Sequence, residues 1–229
     1  MMYRGVSVNG RTYLILIQQC VRNSASTRAG DSRGGSKQAL ELLQLMKDAG
    51  SAPNIRHFNA AMRVCSMEGD AAKAFRIIQN MRHQGIKPDE RSWAALLDAF
   101  GRAGQVAEMM AWYREMCRTG EQPNVYTMTI LLDNAGKAGE LGIAEGIWRE
   151  MRDRQLAPGV HSYSAFINCY ATAKQPDKAE EVLAEMVQSA TIKPDAITFS
   201  RCVQLKMCMG TDFCYTSAWF AEHAVTSDY

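Results

Sequence analysis

Proline is scarce in this chain: six residues in 229, no two of them adjacent, beside 17 glycines. That excludes a collagen-like or linker-dominated chain. No run of about 18 apolar residues occurs, so no transmembrane helix is expected. An excess of one charge is missing too. Lys and Arg total 26 against 24 Asp and Glu, a net charge of +2, far from the basic bias that by itself marks a nucleic-acid binder. The seven cysteines, at 20, 65, 117, 169, 202, 208 and 214, are odd in number and form no Cys-x-x-Cys. Neither a disulfide framework nor a zinc ribbon or finger is expected. Most of them fall inside apolar helical patterns, as small buried hydrophobes of a reducing compartment do. Cys202, Cys208 and Cys214 are spaced six apart. Helical geometry puts them on different faces, so they make no metal site with His223. No P-loop or Gly-rich nucleotide fingerprint is present.

What is present is a period. Met46, Met81, Met116, Met151 and Met186 recur every 35 residues, and Pro53, Pro88, Pro123, Pro158 and Pro194 follow them at intervals of 35, 35, 35 and 36. After each proline comes a small or polar residue: Asn54, Asp89, Asn124, Gly159, Asp195. An aromatic follows at Phe58, Trp93, Tyr163 and Phe199; in the remaining unit Tyr126 stands two places early and Met128 fills the register. Gly69, Gly104, Gly139 and Gly210 mark mid-repeat.

Each unit reads as two helices. The first runs from about the aromatic, with Ser92, Thr127, Ser162 and Thr198 placed to act as N-caps. The second runs from about Asp70 to Met81, with Ala71, Ala74, Phe75, Ile78 and Met81 at three- and four-residue spacing. Gly85 and Pro88 end it. No segment alternates with period two, so no strands are expected. One such hairpin cannot bury its apolar face alone, whereas stacked hairpins can. The expected fold is all-α, a right-handed α-solenoid of helix-turn-helix repeats of about 35 residues, with the first helices lining its concave side. The units are 55–89, 90–124, 125–159 and 160–195. An N-terminal segment, 1–9, precedes a divergent unit at 10–54 that carries an insertion at about 24–37, rich in Ser, Gly, Arg and Ala. A partial repeat and tail occupy 196–229.

At these residues the chain closely resembles the pentatricopeptide repeat family. The unit 55–89 carries the likeness best: His57-Phe58-Asn59-Ala60-Ala61, then Gly69-Asp70-Ala71-Ala72-Lys73-Ala74, Met81, and Gly85-Ile86-Lys87-Pro88-Asp89. The tetratricopeptide repeat, with its period of 34 and different signature, fits less well. The resemblance covers about residues 10–215. It implies a protein that binds single-stranded RNA, one base per repeat, in an organelle, mitochondrion or plastid. Arg4, Arg11, Arg22, Arg28 and Arg33, with Asp31 as the sole acid among residues 1–33, have the composition of a transit segment; residues 13–21 equally fit a repeat helix. Some family members carry a deaminase-like extension, which needs His-x-Glu and Cys-x-x-Cys. Neither motif occurs here, and no catalysis and no cofactor are implied.

The resemblance places the base-reading pair at the fifth and last residues of a unit. Here the pairs are Asn59 with Asp89, Ala94 with Asn124, Thr129 with Gly159, and Ser164 with Asp195. The first matches a uracil-favouring pair, and the last resembles a purine-reading pair. Ala94, Gly159 and Leu14, the fifth residue of the 10–54 unit, have no side chain able to bond a base edge. The residue that sandwiches the base is second in each unit: Arg56, Arg91, Tyr126, His161 and Ile197. Arg, Tyr and His all stack on bases. Arg63, Arg102 and Lys137 are expected further along the same face, within reach of phosphates.

Charge keeps a second function open. Residues 1–54 carry seven basic against three acidic side chains, but residues 55–195 carry 17 against 18. A repeat core without net positive charge also suits a protein–protein scaffold, such as a subunit of an organellar ribosome or another large assembly.

Overall fold

The structure, a computed structural model, describes residues 9–26 and 34–189 and the single positions 192, 194, 195 and 198. Among these residues every regular element is an α-helix: α1 Gly10–Ser26, α2 Gly35–Asp48, α3 Ile55–Glu68, α4 Ala71–His83, α5 Glu90–Arg102, α6 Val106–Arg118, α7 Val125–Lys137, α8 Leu141–Asp153, α9 Val160–Thr172 and α10 Pro176–Gln188. The chain forms two compact units, and the boundary follows Asn134 inside α7.

Within each unit the 35-residue period becomes a buried column. In the first unit Ala39, Ala74 and Met109 are buried, as are Leu43, Ile78 and Tyr113, and Met46, Met81 and Met116. In the second, Ala144, Trp148 and Met151 recur as Ala179, Leu183 and Met186. The first helices supply Phe58, Trp93 and Met128 in one unit and Tyr163 in the other. Helix α3 packs against α1 and α2 on one side and against α4 and α5 on the other. Each such apolar side chain contributes about 1.5–3 kcal/mol when covered, and the covering surface belongs to the next hairpin. This is the stacked-hairpin arrangement of an all-α solenoid. Among the described residues no helix is long and apolar enough to cross a membrane.

The first helices begin three residues earlier than expected, and their caps are different residues. The residue after the proline is the N-cap. Asn54 and Asp89 each form a capping box, with His57 and Ser92 returning the bond. Asn124 Oδ1 accepts the Thr127 N–H at 2.9 Å, and Asp195 Oδ1 that of Thr198 at 2.7 Å. Ser92, Thr127 and Ser162 are therefore third helical residues, not caps. The reason is chemical: an Asn or Asp acceptor held just outside the helix by a rigid proline outcompetes a hydroxyl one turn in. Gly159 brings no side chain, and α9 starts without a side-chain cap.

The stretch 24–37 is shorter as an insertion than its composition suggests. Ser24 belongs to α1, and Gly35, Ser36 and Lys37 open α2; positions 27–33 lie outside the described residues. Glu68, at the end of α3, organises this join. Its carboxylate accepts the Gly35 and Ser36 N–H groups at 3.0 and 3.1 Å and the Ser24 hydroxyl at 3.0 Å. An anion thus meets a helix N-terminus that has no cap of its own. The arginine-bearing helix α1 buries Tyr13, Ile17 and Cys20, and its Gly10 carbonyl meets His57 Nε2 at 2.8 Å. Residues 10–26 are thus a repeat helix. The partial repeat expected at 196–229 lies outside the described residues except for Thr198.

Close packing between consecutive first helices requires a small twelfth residue. A Cβ on Gly101 would lie 2.5 Å from Cβ of Asn134, and one on Gly136 would lie 2.5 Å from Sγ of Cys169. Gly101→Ala therefore reverses the usual helical ranking, in which Ala beats Gly by about 1 kcal/mol. It is expected to lower stability by about 1–3 kcal/mol in urea unfolding; a stabilised variant would contradict this packing.

Burial also protects acids that ionise at high pH. It pushes the Cys65 thiol up to about 12, and burial aided by Glu185 and by Glu145 pushes the Tyr163 and Tyr170 phenols up to about 12. The unfolded chain loses these protons first, from about pH 9 for the thiol. Stability is full below that value and falls between about pH 9 and 12. A pH series of thermal melts is expected to show this fall, made shallower in Cys65→Ala, where the two phenols and the Cys20 thiol, also raised by burial, remain.

Candidate nucleic-acid interface

The second, fifth and ninth residues of a first helix are spaced by three and four, so they share one face. The apolar fourth and eighth residues, Phe58 and Met62 in α3, are buried. Arg56 and Arg63 are exposed and Asn59 is half-buried between them. Arg91, Tyr126 and His161 are exposed at the second position, Tyr126 with 63% of its surface free.

The pair Asn59 and Asp89 meets. Asn59 Nδ2 donates to both Asp89 carboxylate oxygens at 3.0 Å. The buried Ser92 completes the group: its hydroxyl lies 2.6 Å from Asn59 Oδ1 and 2.9 Å from Asp89 Oδ1. Asp89 is at once the last residue of its repeat, a member of the expected pair and the N-cap of α5. Ser164 and Asp195 come together differently. Thr198 bridges them, bonded to the Ser164 hydroxyl and, at 2.6 Å, to Asp195 Oδ1. These Thr198 bonds, with His161 nearby, hold the Asp195 carboxyl below its usual range, although burial opposes them.

The other two expected pairs each include a residue without a polar side chain, Ala94 and Gly159. Ala94 is buried. Asn124 spends its oxygen on capping Thr127 and its amide on Glu90. The Thr129 hydroxyl donates to the Val125 carbonyl of its own helix at 2.7 Å, and Gly159 has nothing to offer.

The basic residues divide. Arg102 is paired with Asp98 at 2.8 Å, and the same carboxylate accepts the Ser66 hydroxyl at 2.5 Å and the Asn134 amide at 3.1 Å. Away from this face, Arg82 pairs with Glu115, Lys87 with Glu121, Arg152 with Glu185 and Lys178 with Glu145. Among the described residues Arg56, Arg63 and Arg91 make no ion pair. Lys137 is exposed at the end of α7. An open groove of about 440 Å³ at the α4–α5 turn, lined by Arg82, Ile86, Lys87, Pro88, Trp93 and Glu115 among others, includes none of the expected site residues. Among the described residues no three potential ligands gather to hold a metal ion.

Sequence reasoning missed Glu90 and Asp98 as competitors, and missed that Ser92 and Thr198 bond the Asn59–Asp89 and Ser164–Asp195 pairs. Their signal was a hydroxyl recurring at 92, 127, 162 and 198, which was readable only as capping. Because Asp89 also caps α5, Asp89→Ala is expected to cost about 1 kcal/mol of stability in chemical denaturation, with Asp89→Asn recovering most of it. Equal stability of Asp89→Ala and the native chain would exclude the capping role.

Three family models match the chain: the pentacotripeptide-repeat region of PRORP over residues 1–111, the PPR repeat family over 90–137, and the PPR repeat over 126–156 and 161–189. No curated protein sequence matches. Among solved structures, the pentatricopeptide repeat protein PPR10 of maize, in complex with an 18-nucleotide psaJ RNA element, is 21% identical; the match covers 90% of this chain and 32% of that one at a TM-score of 0.64. The PPR domain of Arabidopsis thaliana protein-only RNase P 1, in complex with tRNA, is 16% identical, covering 84% of this chain and 96% of that one at a TM-score of 0.61. The nuclear proteinaceous RNase P 2 of A. thaliana is 16% identical, covering 87% and 43% at 0.64. The chain thus spans about a third of PPR10, and at these identities the likeness carries the fold. With the repeat models together matching 1–156 and 161–189 over a stack of helical hairpins, the chain belongs to the pentatricopeptide repeat family.

Proposed function

We propose that the chain binds single-stranded RNA on the face formed by the second and fifth residues of its first helices, as a non-catalytic factor in organellar RNA processing, stabilisation or translation. The observation that carries this reading is the contact between Asn59 and Asp89, fifth and last residues of one repeat, beside the exposed and unpaired Arg56 and Arg91. An amide held by a carboxylate presents a donor and an acceptor to a base edge, and a guanidinium on either side stacks on the base faces. Ser164, Thr198 and Asp195 offer a second reading group, with His161 beside it. Tyr126 supplies stacking without base discrimination. Arg63 is placed for a phosphate; Arg102, already held by Asp98, contributes less, and Lys137 is an exposed base in the second unit.

A scaffold role in a larger assembly is favoured by a different observation. Two of the expected reading pairs are absent or occupied, and much of the basic charge is taken up by acids of the next repeat. The two readings separate in one experiment, selection from a randomised RNA pool across a salt series with matched DNA. RNA binding predicts an enriched short motif with a uracil preference that Asn59→Ala abolishes. It also predicts a log–log salt slope near −2, from about three phosphates at 0.7 each, which Arg63→Ala makes shallower by about 0.7. Binding without enrichment would move the weight to the scaffold.

A further inference from the structure

Asn59 and Asp89 do not stand alone. The side chain of Ser92 is wholly buried, so it cannot itself touch a base. Yet its hydroxyl lies 2.6 Å from Asn59 Oδ1, and it also accepts the Asp89 N–H at 3.3 Å. The amide of Asn59 has two N–H donors and two acceptor lone pairs. One donor goes to the Asp89 carboxylate and one lone pair to Ser92, leaving one of each. Asp89 holds the nitrogen end of the amide and Ser92 the oxygen end. Rotation about the terminal torsion, which is otherwise broad, would set the carbonyl against the carboxylate and break that bond, and would turn the Ser92 hydroxyl from donor to acceptor. In the second unit the same register gives the same device in another form. Ser164 and Asp195 are joined through Thr198, which holds the register of Ser92 three repeats on.

We infer that the hydroxyl at the third position of the following repeat, Ser92 for the Asn59–Asp89 pair and Thr198 for the Ser164–Asp195 pair, is a positioning residue for base recognition. This rests on the reading that these pairs meet a base. The hydroxyl acts through its neighbour: by pinning the fifth side chain before RNA arrives, it fixes which atom faces the base edge and removes the ordering cost at binding. Thr127 stands where Ala94 brings no polar side chain to the fifth position and the Asn124 amide is committed to Glu90, so its hydroxyl has no such pair to hold.

The test uses the full 229-residue chain with Ser92→Ala, Ser92→Thr, Thr127→Ala and Asn59→Ala. Affinity is measured for single-stranded RNAs differing at the base that Asn59 meets. Ser92→Ala is expected to lower the preference for the favoured base about fivefold, the equivalent of one hydrogen bond of roughly 1 kcal/mol. Ser92→Thr restores it, and Thr127→Ala leaves it unchanged despite losing a hydroxyl at the same register. Without RNA, the Asn59 side-chain amide protons exchange with solvent faster in Ser92→Ala than in the native chain or Ser92→Thr. A preference that is lost in Asn59→Ala but intact in Ser92→Ala would overturn this inference and leave base reading standing. A native chain with no base preference would overturn both.

Discussion

The Asp89 carboxylate takes the backbone N–H of Ser92 and so starts α5; it also takes the amide of Asn59 from α3. Asn54, Asn124 and Asp195 occupy the same register after their own prolines. At this join one side chain ends a unit and caps the next helix, and Asp89 also bonds the fifth residue of its own unit. Proline immediately before it supplies the rigid extended backbone that a cap needs. The apolar faces are covered separately, because the surface that buries Phe58, Met62 and Ile78 comes from neighbouring hairpins.

The helix caps and the proposed base-contacting groups draw on the same atoms, and the four repeats differ in the polar groups they keep. Asn59 and Asp89 keep a complete polar group. In the next repeat Asn124 still caps its helix, but the fifth residue, Ala94, has no polar side chain, and Glu90 takes the spare amide. In the third, Gly159 keeps the turn and abandons both tasks. A cap can be lost for about 1 kcal/mol while the stack survives, since the stack is held by the buried columns. Asp98 shows the same economy further along the face: its carboxylate binds Ser66, Arg102 and Asn134, tying successive first helices together and reducing the charge that Arg102 offers to an anion.

The periodic part of this design was readable directly. The methionines and prolines gave the unit length, the apolar spacing gave two helices per unit, and the mid-repeat glycines gave the turns, where Gly69 and Gly104 adopt φ of 64° and 76°. What could not be read was the choice among competing polar groups. Ser92 looked like a cap because hydroxyls make good caps; Asp89, three residues earlier, is a better one. Asn124 looked available because nothing in a linear pattern shows that Glu90, thirty-four residues before it, lies beside it. The flanks of the 24–37 stretch looked loose because Ser and Gly are turn formers, and only folding brings the Glu68 carboxylate to that helix start.

The central claim is that the face bearing Arg56, Asn59 and Arg91 is the one that meets RNA. A nitrogen-15 heteronuclear NMR titration of the full chain with a short uridine-rich single strand addresses it most directly. Shifts concentrated at residues 56, 59, 89, 91 and 92, with the outer helices α4 and α6 unmoved, are the predicted result. Shifts confined to the outer helices, or none at RNA concentrations that saturate a comparable repeat array, would contradict it.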